Sequence, residues 1–144
     1  MRERVLFVCT GNSARSQMAE ALLRNLGGEQ YDVYSAGTNP KSLHPLTIEA
    51  MREIGIDISG QKSKELAKFA GQGFDYVVTV CDSARQQCPV FPGARALHWD
   101  LADPAATASD RATQLNVFRR SRDQIRELVR QFLKEASAAD RPTS

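Results

Sequence analysis

The chain has 144 residues, 42% hydrophobic and 25% charged, enough for one domain with a real core. Lys and Arg number 19 against 17 Asp and Glu, and a net charge of +2 excludes a protein that coats nucleic acid or anionic lipid by charge alone. Its longest uncharged apolar runs, such as Val5 to Cys9 and Tyr76 to Cys81, fall far short of the roughly 18 residues a membrane-spanning helix needs.

Val5 to Cys9 is continuously apolar, the pattern of a parallel strand covered on both faces. From Arg15 the apolar residues Met18, Ala19, Leu22, Leu23 and Leu26 recur at three and four, and Gly27-Gly28 ends them, which predicts an amphipathic helix. Tyr31 to Ala36 reads as a second strand. Pro45 suits the first turn of a helix that carries Leu46, Ile48, Met51 and Ile54 and stops at Gly55. A short helix is expected over Ser63 to Ala70. Phe74 to Val80 is a third buried strand arriving at Cys81, and Arg95 to Trp99 a shorter fourth. Leu115, Phe118, Ile125, Leu128, Val129, Phe132 and Leu133 mark one long final helix. The expected organisation is a single domain over residues 1–135 and a fraying small, polar tail over 136–144. No repeat, low-complexity segment or dividing linker is present.

Strands alternating with helices predict an α/β fold with an open, four-stranded parallel sheet and helices on both faces. Ligands bind such sheets beyond the strand ends where the order reverses, which in a flavodoxin-like order lies between strands one and three. Cys9 and Cys81 end those two strands. The N-terminus has a five-residue apolar stretch, shorter than a signal peptide's core, and no small-residue cleavage site, so a cytoplasmic location is expected. Three cysteines cannot all pair, and in a reducing compartment any disulfide is transient.

Cys9 and Arg15 bracket a C-x5-R loop between strand and helix, Cys9-Thr10-Gly11-Asn12-Ser13-Ala14-Arg15-Ser16. The backbone N–H groups of Thr10 to Arg15, the helix N-terminus and the planar Arg15 fork make it an oxyanion cradle. The same positive field favours a thiolate nucleophile at Cys9, and Ser16 can hydrogen-bond it. The plainer reading is a small buried hydrophobe at a strand end. There is no G-x-x-x-x-G-K and no G-x-G-x-x-G.

Cys81 and Cys88, seven positions apart, would stand about 10 Å apart on a helix, too far for a disulfide unless the segment unwinds. Alone they could be incidental core thiols, and their spacing matches no zinc pattern. Asp103, before Pro104, could protonate an oxygen leaving the bound anion, or be a plain turn aspartate. His44 and His98 lack partners at useful spacing and read as structural. Arg119, Arg120, Arg122, Arg126 and Arg130 interleave with Asp123 and Glu127, which reads as a solvated helix face rather than a nucleic-acid patch. No resident metal or cofactor is called for, and no leftover apolar stripe demands an oligomer, so a monomer is expected.

Three stretches, CTGNSARSQMAE from Cys9, VTVCDSARQQCPVFPG from Val78 and HWDLADP from His98, resemble the thioredoxin-coupled arsenate reductases, which share the fold of low-molecular-weight protein tyrosine phosphatases. The resemblance implies that Cys9 attacks arsenate held by the loop and Arg15, with Asp103 as acid. Cys81 then attacks Cys9 as arsenite leaves, and Cys88 attacks Cys81. The implied Cys81–Cys88 disulfide is reduced by thioredoxin, or by a glutaredoxin and glutathione system. Some relatives carry a potassium site at positions matching Asn12, Glu20 and Ser35 with an aspartate where this chain has Lys64, so an ammonium is expected in place of the ion. Ala14 replaces a loop cysteine of some relatives, and Ala105 stands where phosphatases often place an aromatic. The alternatives are a low-molecular-weight tyrosine phosphatase, in which Cys81 and Cys88 are dispensable, and a non-enzymatic oxyanion-binding or redox-sensing module.

Overall fold

A computed structural model describes residues 2–106 and 109–139. The strands are β1 (Glu3–Cys9), β2 (Tyr31–Gly37), β3 (Tyr76–Thr79) and β4 (Arg95–His98), and the helices α1 (Arg15–Gly27), α2 (Pro45–Arg52), α3 (Asp82–Gln87) and α4 (Arg111–Ala139). All strand pairs are parallel and the order is β2-β1-β3-β4. The order reverses beside β1, so the ends of β1 and β3 face an open crevice.

Both faces of the sheet are covered. On β2, Tyr31 meets Phe132 of α4 at 5.8 Å between ring centroids, while Tyr34, pointing the other way, meets Phe69 and Phe74. Val5, Leu6, Phe7 and Val8 of β1 have no exposed surface, as their unbroken apolar run requires. α1 packs on α4 and on β2, and α2 packs on α4.

Two expected boundaries change. Ser63 to Ala70 forms only a tight 3₁₀ turn over Leu66–Phe69. The Lys64 carbonyl accepts from Gly37 N–H and the Lys64 N–H donates to Asn12 Oδ1, so this stretch is drawn out along β2 and cannot coil. The final helix continues past residue 135 to Ala139, with Ala136 buried against the core, and residues 140–144 of the expected tail lie outside the described residues.

Most arginines of α4 are paired with carboxylates at the surface, as the solvated-face reading expects, but Arg122 departs from it and is buried. Arg119 Nε donates to Glu53 at 2.8 Å, and Arg122 Nη1 to Glu53 at 2.9 Å and to the Ala50 carbonyl at 2.8 Å. Arg126 pairs with Asp123, Arg130 with Glu127 and Arg111 with Glu49. The hydrogen bond from Arg119, supported by Arg122, pushes the Glu53 carboxyl down to about 2. A carboxyl lowered on folding adds stability above its unfolded value near 4.3, and that contribution is lost as pH falls toward the folded value. Glu53 is exposed, so the pair is worth about 0.2–1 kcal/mol. Thermal melting should decline as pH falls from about 4.3 toward 2 with a steeper slope in the unmodified chain than in Glu53→Gln; equal slopes would remove the clamp.

Candidate active site

Every carbonyl of the loop between β1 and α1 is bonded outward. The oxygens of Cys9, Thr10, Gly11 and Ser13 accept from the backbone N–H groups of Thr38, Asn39, Lys41 and His44 at 2.8–3.1 Å. The Asn12 oxygen accepts from Gln17 Nε2 and Ser63 Oγ, and the Ala14 oxygen from Met18 N–H in the first helical bond. In a planar trans peptide, an outward carbonyl turns the next N–H inward. The loop therefore aims consecutive N–H groups at its own centre. α1 adds to them, because its first turn has no side-chain cap and no acidic residue.

Cys9 sits at that centre, 2% exposed. Its sulfur accepts from the Asn12 N–H at 3.1 Å and lies 2.8 Å from Ser16 Oγ. Ser16 Oγ itself accepts from Asn12 Nδ2 at 2.8 Å, which leaves its single proton for the sulfur. Both contacts fix the sulfur at the centre of the loop.

Asn12 holds the arrangement and is itself wholly buried: its side chain stands behind the cavity wall while its N–H reaches the Cys9 sulfur. Its φ of 48° is a left-handed conformation that asparagine tolerates, and Gln17 and the Lys64 N–H hold its side-chain oxygen. Gly37 permits the close pass of the neighbouring chain, since a Cβ there would lie 2.5 Å from the Thr10 carbonyl.

Cys9, Thr10, Gly11, Ser13, Ala14 and Arg15 line a cavity of about 230 Å³ together with Lys41, Ser42, His44, Asp103 and Ala105. Asp103 thus reaches the same cavity, with Oδ1 accepting from the Ala105 N–H at 2.9 Å. Arg15 donates through Nη1 to the Leu101 carbonyl at 2.9 Å, which orients its fork. Lys41 and Ser42 were not legible as site residues. His44 keeps the structural role expected of it, accepting from the Leu46 N–H at the start of α2, yet it also enters the cavity. Burial lowers its pKa against the opposing pull of Asp103, which favours a neutral ring with its proton on Nε2.

Cys81 and Cys88 are brought to the two ends of α3. Cys81 Sγ accepts from the Ala84 N–H and lies 3.4 Å from Thr10 Oγ1, in contact with the nucleophile loop. Cys88 closes the helix with its N–H on the Ala84 carbonyl. Half-burial pushes the Cys88 thiol up. All three cysteines are free.

A family model for the low molecular weight phosphotyrosine protein phosphatases matches residues 4–141. The chain belongs to that family. Within the family its near relatives are arsenate reductases: that of Oceanobacillus iheyensis is 41% identical over 90% of this chain and 94% of its own length. The solved structure of an arsenate reductase in the phosphate binding state matches with TM-score 0.80 and 35% identity, covering 92% of this chain and 98% of its own. The thioredoxin-dependent arsenate reductase of Corynebacterium glutamicum matches with TM-score 0.71 and 32% identity over 94% of this chain and 63% of its own. The fold and the parallel sheet expected from the sequence are those of this family.

The position expected to hold potassium in some relatives does not fit the ion here. Lys64 Nζ lies 3.4 Å from Glu20 Oε1, an oxygen that also accepts from Ser35 Oγ at 2.7 Å, and donates to the Lys62 carbonyl at 2.8 Å. Glu20 is 4% exposed, and Arg24 pairs with its other oxygen at 3.2 Å. The buried carboxylate is thus neutralised by the chain itself. Turnover and melting temperature should be the same in potassium and sodium salts, and Lys64→Asp should make both depend on potassium. Potassium-dependent turnover of the unmodified chain would overturn this account.

Proposed function

We propose that this chain reduces arsenate to arsenite through a relay of Cys9, Cys81 and Cys88, recycled by thioredoxin. The observation that carries the reading is the contact of Cys81 with Thr10, which joins a second thiol to the anion-binding loop of the first.

The inward N–H groups and the Arg15 fork hold the oxyanion against Cys9. The Cys9 thiolate attacks arsenic, and Asp103 protonates the departing oxygen, which leaves as water. The Cys81 thiolate then attacks the Cys9 sulfur. An electron pair of the sulfur–arsenic bond passes to arsenic, arsenite departs, and a Cys9–Cys81 disulfide remains. Cys88 attacks the Cys81 sulfur, which frees Cys9 as a thiolate and leaves a Cys81–Cys88 disulfide for the dithiol of thioredoxin to reduce.

The helical spacing of about 10 Å between Cys81 and Cys88 requires α3 to unwind before that last bond forms. α3 is suited to it: six residues long, with only Ala84 buried. Beside it an open hollow of about 340 Å³, lined by Val77, Cys88, Phe91 and Leu97, gives the segment room. Unwinding also lifts the burial that keeps Cys88 protonated, so this thiol gains reactivity when its turn comes. The reading carries a reducing compartment, the cytoplasm, and a single-domain monomer. Among the described residues no helix is long and apolar enough to cross a membrane.

Coupled to thioredoxin, thioredoxin reductase and NADPH, the chain should consume NADPH only when arsenate is present. Cys88→Ser should release about one equivalent of arsenite per chain and stop, while Cys81→Ser should release none. Steady turnover in both variants, with efficient hydrolysis of p-nitrophenyl phosphate, would give the site to phosphatase chemistry. Asp103→Asn should slow formation of the Cys9 adduct by about 10²-fold or more, read as single-turnover arsenate consumption; an unchanged rate would assign the proton to solvent.

A further inference from the structure

A second cluster lies where α3 begins and β4 ends. Asp82 is the first residue of α3, His98 the last of β4, and Asp100 follows two positions on. Their ligating atoms all lie within 4.8 Å of one another.

His98 Nδ1 and Thr79 Oγ1 share a hydrogen bond of 2.8 Å, which turns the other ring nitrogen, Nε2, toward the carboxylates of Asp82 and Asp100. Nε2 is fully buried and makes no hydrogen bond. A ligating nitrogen thus faces two carboxylates with no protein group satisfying it.

The spacing points to the kind of cation. Nε2 is 3.5 Å from Asp82 Oδ1, too long for a hydrogen bond. It is close to the roughly 3.4 Å edge of a tetrahedron whose ligands stand 2.0–2.2 Å from a central ion. Asp82 and Asp100 are exposed and free to close the remaining distance. Arg85 approaches Asp82 only to 3.8 Å, with both side chains more than half exposed, and does not lock it. A hydroxyl behind Nδ1 is the outer support that ligating histidines receive. An imidazole ligand selects borderline transition metals over magnesium or calcium.

We propose that Asp82, His98 and Asp100 bind one divalent transition-metal ion of the zinc, cobalt and nickel class, His98 through Nε2, with water completing the shell. The ion ties the first residue of α3 to the end of β4. If the three-cysteine relay operates as read above, the tie opposes unwinding of α3 and makes the metal a reversible inhibitor of disulfide formation between Cys81 and Cys88.

The test uses the full, reduced chain and cobalt(II) chloride, followed by equilibrium dialysis and absorbance. The expected result is one equivalent of cobalt bound with d–d bands and without the near-ultraviolet charge-transfer band of thiolate ligation. The exposed pair Asp82→Asn and Asp100→Asn, and separately His98→Gln, should weaken binding at least tenfold. No saturable uptake, a thiolate band, or unchanged affinity in the aspartate pair would overturn the site, whatever happens to His98→Gln. Arsenite release with and without cobalt, in the unmodified chain and the aspartate pair, reads the relay separately. Cobalt binding without arsenate turnover would leave the metal site standing and remove the relay.

Discussion

The site rests on a constraint of the peptide bond. A loop can offer several N–H groups to one anion only if its carbonyls, which point the other way, find donors elsewhere. Here residues 38–44 supply backbone donors and Gln17 and Ser63 supply side-chain donors. The concavity at Cys9 is thus shaped by chain segments outside the loop, one of which, residues 41–44, also lines it. Asn12 is the point of coupling: one buried residue gives its N–H to the nucleophile, its amide protons to Ser16 and its oxygens to Gln17, Ser63 and Lys64. Lys64 in turn carries this network to the buried Glu20 on α1 and, through its carbonyl, to the end of β2.

Against that rigid half stands a loose one. β1 is buried on both faces, whereas Arg95 and Ala96 of β4 are exposed and α3 buries one side chain. The two halves meet at Cys9, the last residue of β1, and Cys81, the residue before α3, which are joined through Thr10. Oxyanion capture needs fixed donors and thiol exchange needs a segment that opens, and local stability follows that division. The half-buried Cys88 fits the order proposed for the relay: the thiol assigned to act last is the one whose thiolate the folded state disfavours.

How far the sequence speaks follows the same division. Local patterns were legible: the apolar run of β1, the C-x5-R loop, the helix-ending glycines and the separation of Cys81 from Cys88. What needed three dimensions was not. Nothing about Lys41, Ser42 or His44 in a sequence reports that a loop thirty residues later lines the cavity at Cys9. Asn12 reads as one more loop amide until its partners 51 and 52 residues away are in place. The helix expected over Ser63 to Ala70 failed for the same reason, because long-range bonds to Gly37 and Asn12 overrode local propensity. α4 ran past residue 135 and buries Ala136, which a small residue does not advertise.

One scaffold can therefore serve two chemistries with little change to its rigid half. A thiolate facing inward N–H groups and an arginine fork accepts any tetrahedral oxyanion, and nothing in that cradle separates phosphorus from arsenic. Separation comes after the adduct forms. Arsenic(V) can take an electron pair from a sulfur–arsenic bond when a second thiol attacks the first sulfur, whereas phosphorus(V) under the same attack cannot. Discrimination then needs no tighter pocket, only a second thiol in contact with the loop and a third that arrives by unwinding. In the proposed relay Cys81 takes the first of those places and Cys88 the second, and the two stand at opposite ends of a helix held by a single buried alanine.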